Sequence, residues 1–225
     1  MATKILITGA TDGIGKHTAT LLAQKKGYQL LLHGRDPSRL DACVQDIQQH
    51  ASAPVLSYCA DFESLDQVRD MAKHVAADHS DGVHVLVNNA GVYSPAKHTT
   101  ADGMEATWQV NVVAPFLLTH MLLPTLRARV VNVASISAAS SLDFDNLNQE
   151  KGYSAHGAYS ASKIAMQMFT YALARRLRSQ GSSLTANCLD PGTVNTKSTW
   201  CAVYTDVLQT NHAHSAVRWL GSLRY

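Results

Sequence analysis

The chain has 225 residues, 46% of them apolar, with 19 basic and 17 acidic side chains and a formal net charge of +2. This is enough apolar material for one sizeable core, which excludes a disordered chain, and the balanced charge excludes a basic stripe for nucleic acid or a membrane surface. The four cysteines, Cys43, Cys59, Cys188 and Cys201, are scattered without a C-x-x-C pair, which predicts free thiols in a reducing, intracellular compartment.

The first residues run straight into an apolar strand at 4–8, so no secretory leader is expected. Thr8-Gly9-Ala10-Thr11-Asp12-Gly13-Ile14-Gly15 follows, then a helix over about 14–26 and a second strand over 29–33. A strand, a glycine turn and a helix N-terminus set free backbone N–H groups against a pyrophosphate, with no side chain in the way. Glycine spacing alone says little; its place inside a strand-helix-strand unit gives it weight. A helix over 38–49 leads to a strand at 55–59 and then to Asp61, which could simply cap a helix near Ser64. That helix, 64–78, is amphipathic, with Leu65, Val68, Met71, Ala72 and Val75 on its apolar side.

Asp81-Gly82 turns the chain into a fourth strand, 83–87, which ends in Asn88-Asn89-Ala90-Gly91. After a polar loop, Asp102 is expected to cap a long helix starting near Gly103. The most apolar region, 110–126, is broken by Asn111, Pro115, His120 and Pro124 and reads as a buried helix rather than a membrane span. Asn111 is an awkward residue there. Pro115 cannot donate to its carbonyl, so one account is a core asparagine bonded to the backbone.

A fifth strand, 129–134, delivers Ser135, and a helix over about 157–179 carries Tyr159 and Lys163 one turn apart on one face. An adjacent ammonium stabilises a phenolate and brings its pKa down from about 10, so such a tyrosine can trade protons with a hydroxyl or carbonyl. Taken alone, a Tyr and a Lys at this spacing describe any half-exposed face, and Met166, Phe169 and Leu173 further along read as ordinary core. The sixth strand, 184–189, ends in Asp190-Pro191-Gly192. In an open parallel sheet ligands bind beyond the carboxyl ends of the strands, so these residues converge on one crevice.

T-G-x-x-x-G-x-G, N-N-A-G, Ser135, Y-x-x-x-K and Asp190-Pro191-Gly192 stand in the order found in the short-chain dehydrogenase/reductase family, which the chain resembles from about residue 3 to about residue 197. The segment 142–153, between Ser135 and Tyr159, resembles an insertion of the retinol-dehydrogenase-like branch; acidic and partly aromatic, it is expected to form a lip over the substrate cleft. The resemblance implies an α/β Rossmann fold, a doubly wound parallel sheet of six strands in the order 3-2-1-4-5-6 flanked by helices, with the family's last strand absent or replaced. It implies a Rossmann dinucleotide-binding and catalytic domain over 1–197, and 198–225 is an atypical C-terminal tail of the same domain.

By the same resemblance the cofactor is NADP, held by Gly9, Thr11, Asp12, Gly13, Ile14, Gly15, Arg35, Asp61, Asn88, Ala90, Gly91, Tyr159, Lys163, Pro191, Gly192, Val194 and Thr196. Asp61 would meet the adenine. The position of the acidic residue that selects NAD falls at Gly34, with Arg35 next to it; Asp36 keeps NAD open, although it also reads as a helix N-cap before Pro37. The implied catalytic residues are Ser135, Tyr159, Lys163 and Asn111. Ser135 binds the substrate oxygen, Tyr159 transfers its proton, Lys163 lowers the Tyr159 pKa and holds the nicotinamide ribose, and Asn111 continues a water-borne proton path.

The implied activity is that of an NADP-preferring oxidoreductase on the CH–OH group of a hydrophobic alcohol, or on the matching carbonyl. The expectation includes a cytoplasmic protein with no metal, no nucleic acid and no membrane span, and a homodimer through the helices of Asn111 and Tyr159. The tail, with Cys201, His212 and His214 but no convincing ligand spacing, matches nothing in the family. It therefore motivates an alternative: a cofactor-binding scaffold or sensor without turnover.

Overall fold

The computed structural model describes residues 2–192. In its first strand, β1 (Thr3–Ile7), alternate side chains go to opposite faces and both sets are buried. Ile5 and Ile7 pack with Leu22, Leu40 and Ile47, while Leu6 packs with Val68, Val75, Leu118 and Leu122. A strand apolar on both faces needs helices on both, which is the environment of a parallel sheet. The others are β2 (Tyr28–Gly34), β3 (Leu56–Cys59), β4 (Val83–Asn88), β5 (Leu126–Val133) and β6 (Thr185–Leu189). They lie in the expected order, β3-β2-β1-β4-β5-β6, with every neighbouring pair parallel. Helices α1 (Gly13–Ala23) and α2 (Pro37–Gln48) cover one face; α3 (Leu65–Asp78), the short α4 (Ala106–Trp108), α5 (Ala114–Leu122) and α6 (Ala155–Ser179) lie on the other.

The helix starts follow from single side chains. Asp12 accepts the Gly13 N–H (2.8 Å), Ser64 the Gln67 N–H (3.4 Å) and Ser154 the Gly157 N–H (3.0 Å). Asp36 accepts the Ser38 and Arg39 N–H groups (2.9 and 3.1 Å), with Pro37 at the first helical position. Each satisfies amide groups that a helix leaves without an internal acceptor.

One cap differs from expectation. Glu105, fully buried, caps α4 by accepting the Thr107 and Trp108 N–H groups (2.9 and 2.8 Å). Asp102 instead accepts the Leu65 N–H at the start of α3 (2.9 Å) and the Gln109 amide (2.8 Å), a long-range pairing that local sequence does not signal. Between α4 and α5 the helix widens into a π-turn, Gln109–Val113, with Asn111 inside it and Pro115 just beyond. Proline removes one i→i−4 donor, and a π-turn is one way for a helix to absorb that loss. Among the described residues no helix is long and apolar enough to cross a membrane.

Candidate active site

The carboxyl ends of β1 and β4 meet through the glycine turn. Gly9 has φ +64°, and a Cβ on it would stand 2.8 Å from Ala90 Cα. One at Gly15 would run into the Gly9 carbonyl and the Asn89 carboxamide. The glycines are thus required by the chain packed on them as well as by a ligand. Thr8 Oγ1 accepts the N–H groups of Asn89 and Ala90 (both 3.0 Å), and Asn89 Nδ2 donates to the Thr8 and Gly9 carbonyls (2.8 and 3.1 Å). Ala90 and Gly91 are held over the turn by this clamp.

Gly13 and Ile14 open α1, and Asp12, its cap, is ion-paired with Arg39 (3.1 Å). At the end of β2, a Cβ on Gly34 would lie 2.6 Å from Thr11 Cγ2, so no acidic side chain fits there without moving Thr11. Arg35 is exposed beside it, and Asp36 is committed to capping α2. Asp61 follows β3. Its carboxylate accepts the Glu63 N–H (3.0 Å) and its own N–H donates to Gln67 (2.8 Å), which holds the residue at the strand end.

Asn88 is turned away from the glycine turn. Its Nδ2 donates to Thr119 Oγ1 (2.9 Å) and Asn132 Oδ1 (2.8 Å), and Asn132 Nδ2 donates to Thr170 Oγ1 (2.8 Å). This buried chain of polar groups ties β4 and β5 to α5 and α6; Asn88 Oδ1 alone has no protein partner in it. Whatever Asn88 contributes to the crevice comes through where it holds the strand end.

Lys163 lies 6% exposed beneath the loop after β5, its Nζ donating to the Val133 carbonyl (3.0 Å) and standing 5.3 Å from the centre of the Tyr159 ring. Burial lowers its pKa to about 8, because an ammonium taken out of water loses its hydration. Ser135, two residues past Val133, is kept against the same helix: its Oγ accepts the Ser137 N–H (3.1 Å), and the Ala139 N–H reaches the Ser160 carbonyl of α6 (3.0 Å). Tyr93, in the loop after β4, places its ring 5.7 Å from that of Tyr159.

Asn111 joins the parts. Its Oδ1 accepts the Val92 N–H (2.8 Å), and its Nδ2 donates to the Val92 carbonyl (2.9 Å) and to Ser162 Oγ (3.0 Å), which donates to the Tyr159 carbonyl (2.6 Å). A Cβ on Gly91 would lie 3.4 Å from Asn111 Oδ1 and 3.8 Å from Lys163 Nζ, so the missing side chain leaves that space open.

The structure therefore draws Ser135, Tyr159, Lys163 and Asn111 to one end of the sheet, beside the Gly9–Gly15 turn. Pro191 and Gly192 follow β6, with the Gly192 N–H donating to Asp190 (2.9 Å). Val194, Thr196 and the tail 198–225 lie outside the described residues, as do Cys201, His212 and His214. The segment 142–153 is fastened to the loop after β4: Tyr153 Oη donates to the Ser94 carbonyl (2.7 Å), Glu150 pairs with Lys97 (3.1 Å), and Asn148 accepts the Glu105 N–H (2.6 Å).

Residues 3–203 fit the family described as short chain dehydrogenase. The chain belongs to this family. Similar proteins include human retinol dehydrogenase 13, 39% identical over 86% of this chain and 59% of its own length. Another is human polyprenol dehydrogenase, 38% identical over 85% of this chain and 60% of its own. The chain thus spans about three fifths of these relatives. Among solved structures, an uncharacterised protein from Mycobacterium paratuberculosis superposes with a TM-score of 0.79 at 33% identity, over 96% of this chain and 74% of that one. A short chain dehydrogenase from Burkholderia cenocepacia in complex with NADP gives 0.76 at 25% identity, over 98% and 89%.

Four residues of this short-chain dehydrogenase that shape the site are absent from the sequence-based assignment. Thr8 and Asn89 sit within the quoted motifs, and strand alternation, which sends Asn88 and Asn89 to opposite sides, was the available signal. Ser162 lies between Tyr159 and Lys163, and Arg39 reaches Asp12 from another helix; nothing local marks either.

Proposed function

We propose that this short-chain dehydrogenase is an NADP-preferring oxidoreductase acting on the CH–OH group of a hydrophobic alcohol or on the matching carbonyl. The observation that carries the reading is the buried Lys163 ammonium facing the Tyr159 ring, with Ser135 held on the adjoining loop. The residues present fit a dinucleotide: Gly9 and Gly15 leave no room for side chains at the turn, and Gly91 leaves space above Lys163. Bound NADP(H) supplies or accepts the hydride. The α1 N-terminus and the amides of the turn would hold the pyrophosphate, Lys163 and Tyr159 the nicotinamide ribose, and Asp61 the adenine.

Ser135 Oγ hydrogen-bonds the substrate oxygen, and Tyr159 Oη gives that oxygen a proton in reduction or takes one in oxidation. Lys163 stabilises the phenolate while it remains charged. The Asn111 side chain is engaged with Val92 and Ser162, so a part in holding a relay water would fall to its backbone carbonyl, to which Pro115 cannot donate.

NADP is preferred in this reading because Gly34 carries no acid, Asp36 is occupied as a cap, and exposed Arg35 stands next to Gly34 to meet a 2′-phosphate. A hydrophobic substrate suits Ile136, directly after Ser135, and Phe144 in the fastened segment, which are 77% and 67% exposed. It also agrees with relatives named for retinol and polyprenol. The free thiols of Cys43, Cys59 and Cys188 suit a reducing, cytoplasmic setting. Exposed Phe116, Met168 and Tyr171 on α5 and α6 offer an apolar face for a homodimer.

The test is NADPH oxidation by the purified chain against a panel of aldehydes and ketones, with Tyr159→Phe alongside. Turnover that disappears in the variant supports the reading. NADPH binding without turnover in either protein overturns it in favour of a non-catalytic binder.

A further inference from the structure

His33, the next-to-last residue of β2, is 3% exposed, with its ring stacked on Phe62 at a centroid distance of 4.3 Å. Both ring nitrogens are used, by groups from different strands. The Gly9 N–H donates to Nδ1 (3.2 Å), and Nε2 stands 2.9 Å from the Ala60 carbonyl. An amide N–H only donates and a carbonyl only accepts, so these partners select the neutral ring protonated at Nε2. The His33 backbone adds a third tie, its carbonyl accepting the Ala10 N–H (2.8 Å). One rigid, buried ring therefore links the turn after β1 to the segment after β3 that carries Asp61. Burial keeps that ring neutral by pushing its pKa down to about 4; Asp61 is the charged group acting on it, in the opposite direction.

Nothing in the helix caps or the glycine packing calls for a histidine here, and an apolar side chain of this size would fill the same space without either hydrogen bond. We propose that His33 is a positioning residue for the dinucleotide: by accepting the Gly9 N–H and donating to Ala60 it holds the pyrophosphate turn and the adenine-side segment in one fixed relation. The inference rests on the dinucleotide reading above. The protonation state matters to it directly, since a proton on Nδ1 would face the Gly9 N–H donor to donor.

The test titrates NADPH, and separately adenosine 2′-monophosphate as a ligand without a pyrophosphate, into the full chain and into His33→Phe, His33→Gln and His33→Asn. Asn keeps an acceptor near the place of Nδ1, whereas Gln puts an amide N–H near the place of Nε2 and leaves Gly9 unmet. The expected result is NADPH affinity weakened about tenfold by Phe, which loses both hydrogen bonds, and by several-fold for Gln and Asn, each of which loses one and so uncouples the two segments. Adenosine 2′-monophosphate should bind all four alike.

Equal NADPH affinity in all four proteins would overturn the inference and leave the dinucleotide reading standing. Equal losses for both ligands would also overturn it, marking His33 as a general fold residue. A wild type that binds no NADPH would overturn both readings together. Should His33→Phe not fold, the Asn and Gln pair decides.

Discussion

Around β1–β3 the helix starts are set by near neighbours: Asp12, Asp36 and Ser64 cap helices through amides one to three residues away. Around β4–β6 the pieces of the site are set by distant ones. Asn111 meets Val92 and Ser162 at separations of 19 and 51 residues, Lys163 meets Val133 at 30, and Asn88 meets Asn132 at 44. The first half presents backbone amides, which need only a turn and a cap. The second must present side chains at fixed distances, which needs buried polar ties between elements far apart in the chain. It follows that damage to the first half should act through binding and local stability, and damage to the second through turnover and the packing of the whole sheet.

The largest expected effect breaks the chemistry of the second half alone. Tyr159→Phe should lower kcat about 10²–10⁴-fold, the usual worth of a positioned proton donor, with NADPH affinity reduced only by the lost ribose contact. A variant with unchanged kcat would remove Tyr159 from the mechanism.

Next is Asn132→Leu, which takes one hydrogen bond each from Asn88, still bonded to Thr119, and Thr170, still bonded to the Met166 carbonyl. Loss of about 2 kcal/mol in urea unfolding is expected from two buried groups each losing one partner. An unchanged midpoint would mean that this polar chain is dispensable and the contrast between the halves smaller than it looks.

His33 sharpens the comparison by pH, because it is a titratable long-range tie of the first half. Its folded-state pKa, about 4, lies below the ordinary 6.5, so as pH falls the unfolded chain takes up the proton first. The stability it confers is whole above pH 6.5 and is lost as pH falls toward 4. At pH 5 the loss is about 2 kcal/mol, and the corresponding slope should be absent in His33→Asn. A pH-independent difference between the two proteins would refute this.

The smallest effect is local. Asp36→Ala should lower the unfolding midpoint slightly through the lost α2 cap, with NADPH affinity and the preference over NADH unchanged. A shift of preference would show that Asp36 reaches the ribose rather than only its own helix.

The strands, the glycine turn and the Tyr159–Lys163 spacing were legible because each leaves a local mark, an apolar run, a glycine or a one-turn separation, whereas the strand order came from the resemblance of the motifs to the family. Predicted element ends fell within a few residues of those observed, as with β5, which starts at Leu126 rather than 129. Asp102 was misread because any acidic residue before a helix resembles a cap, and its true partners, Leu65 and Gln109, become neighbours only when α3 packs beside the π-turn.

The sequence by itself determined the alternation of strands and helices and a Tyr-Lys pair on one helix face, since periodicity is written in consecutive residues. Its ordered motifs carried the resemblance to short-chain dehydrogenases that implied the doubly wound sheet. Only the tertiary structure decided that Asn88 braces the sheet while Asn89 clamps the turn, that a side chain at Gly34 would press on Thr11, and that His33 joins two loops. Those outcomes depend on which surfaces meet across the sheet, and no local pattern records a contact between residues that folding alone brings together.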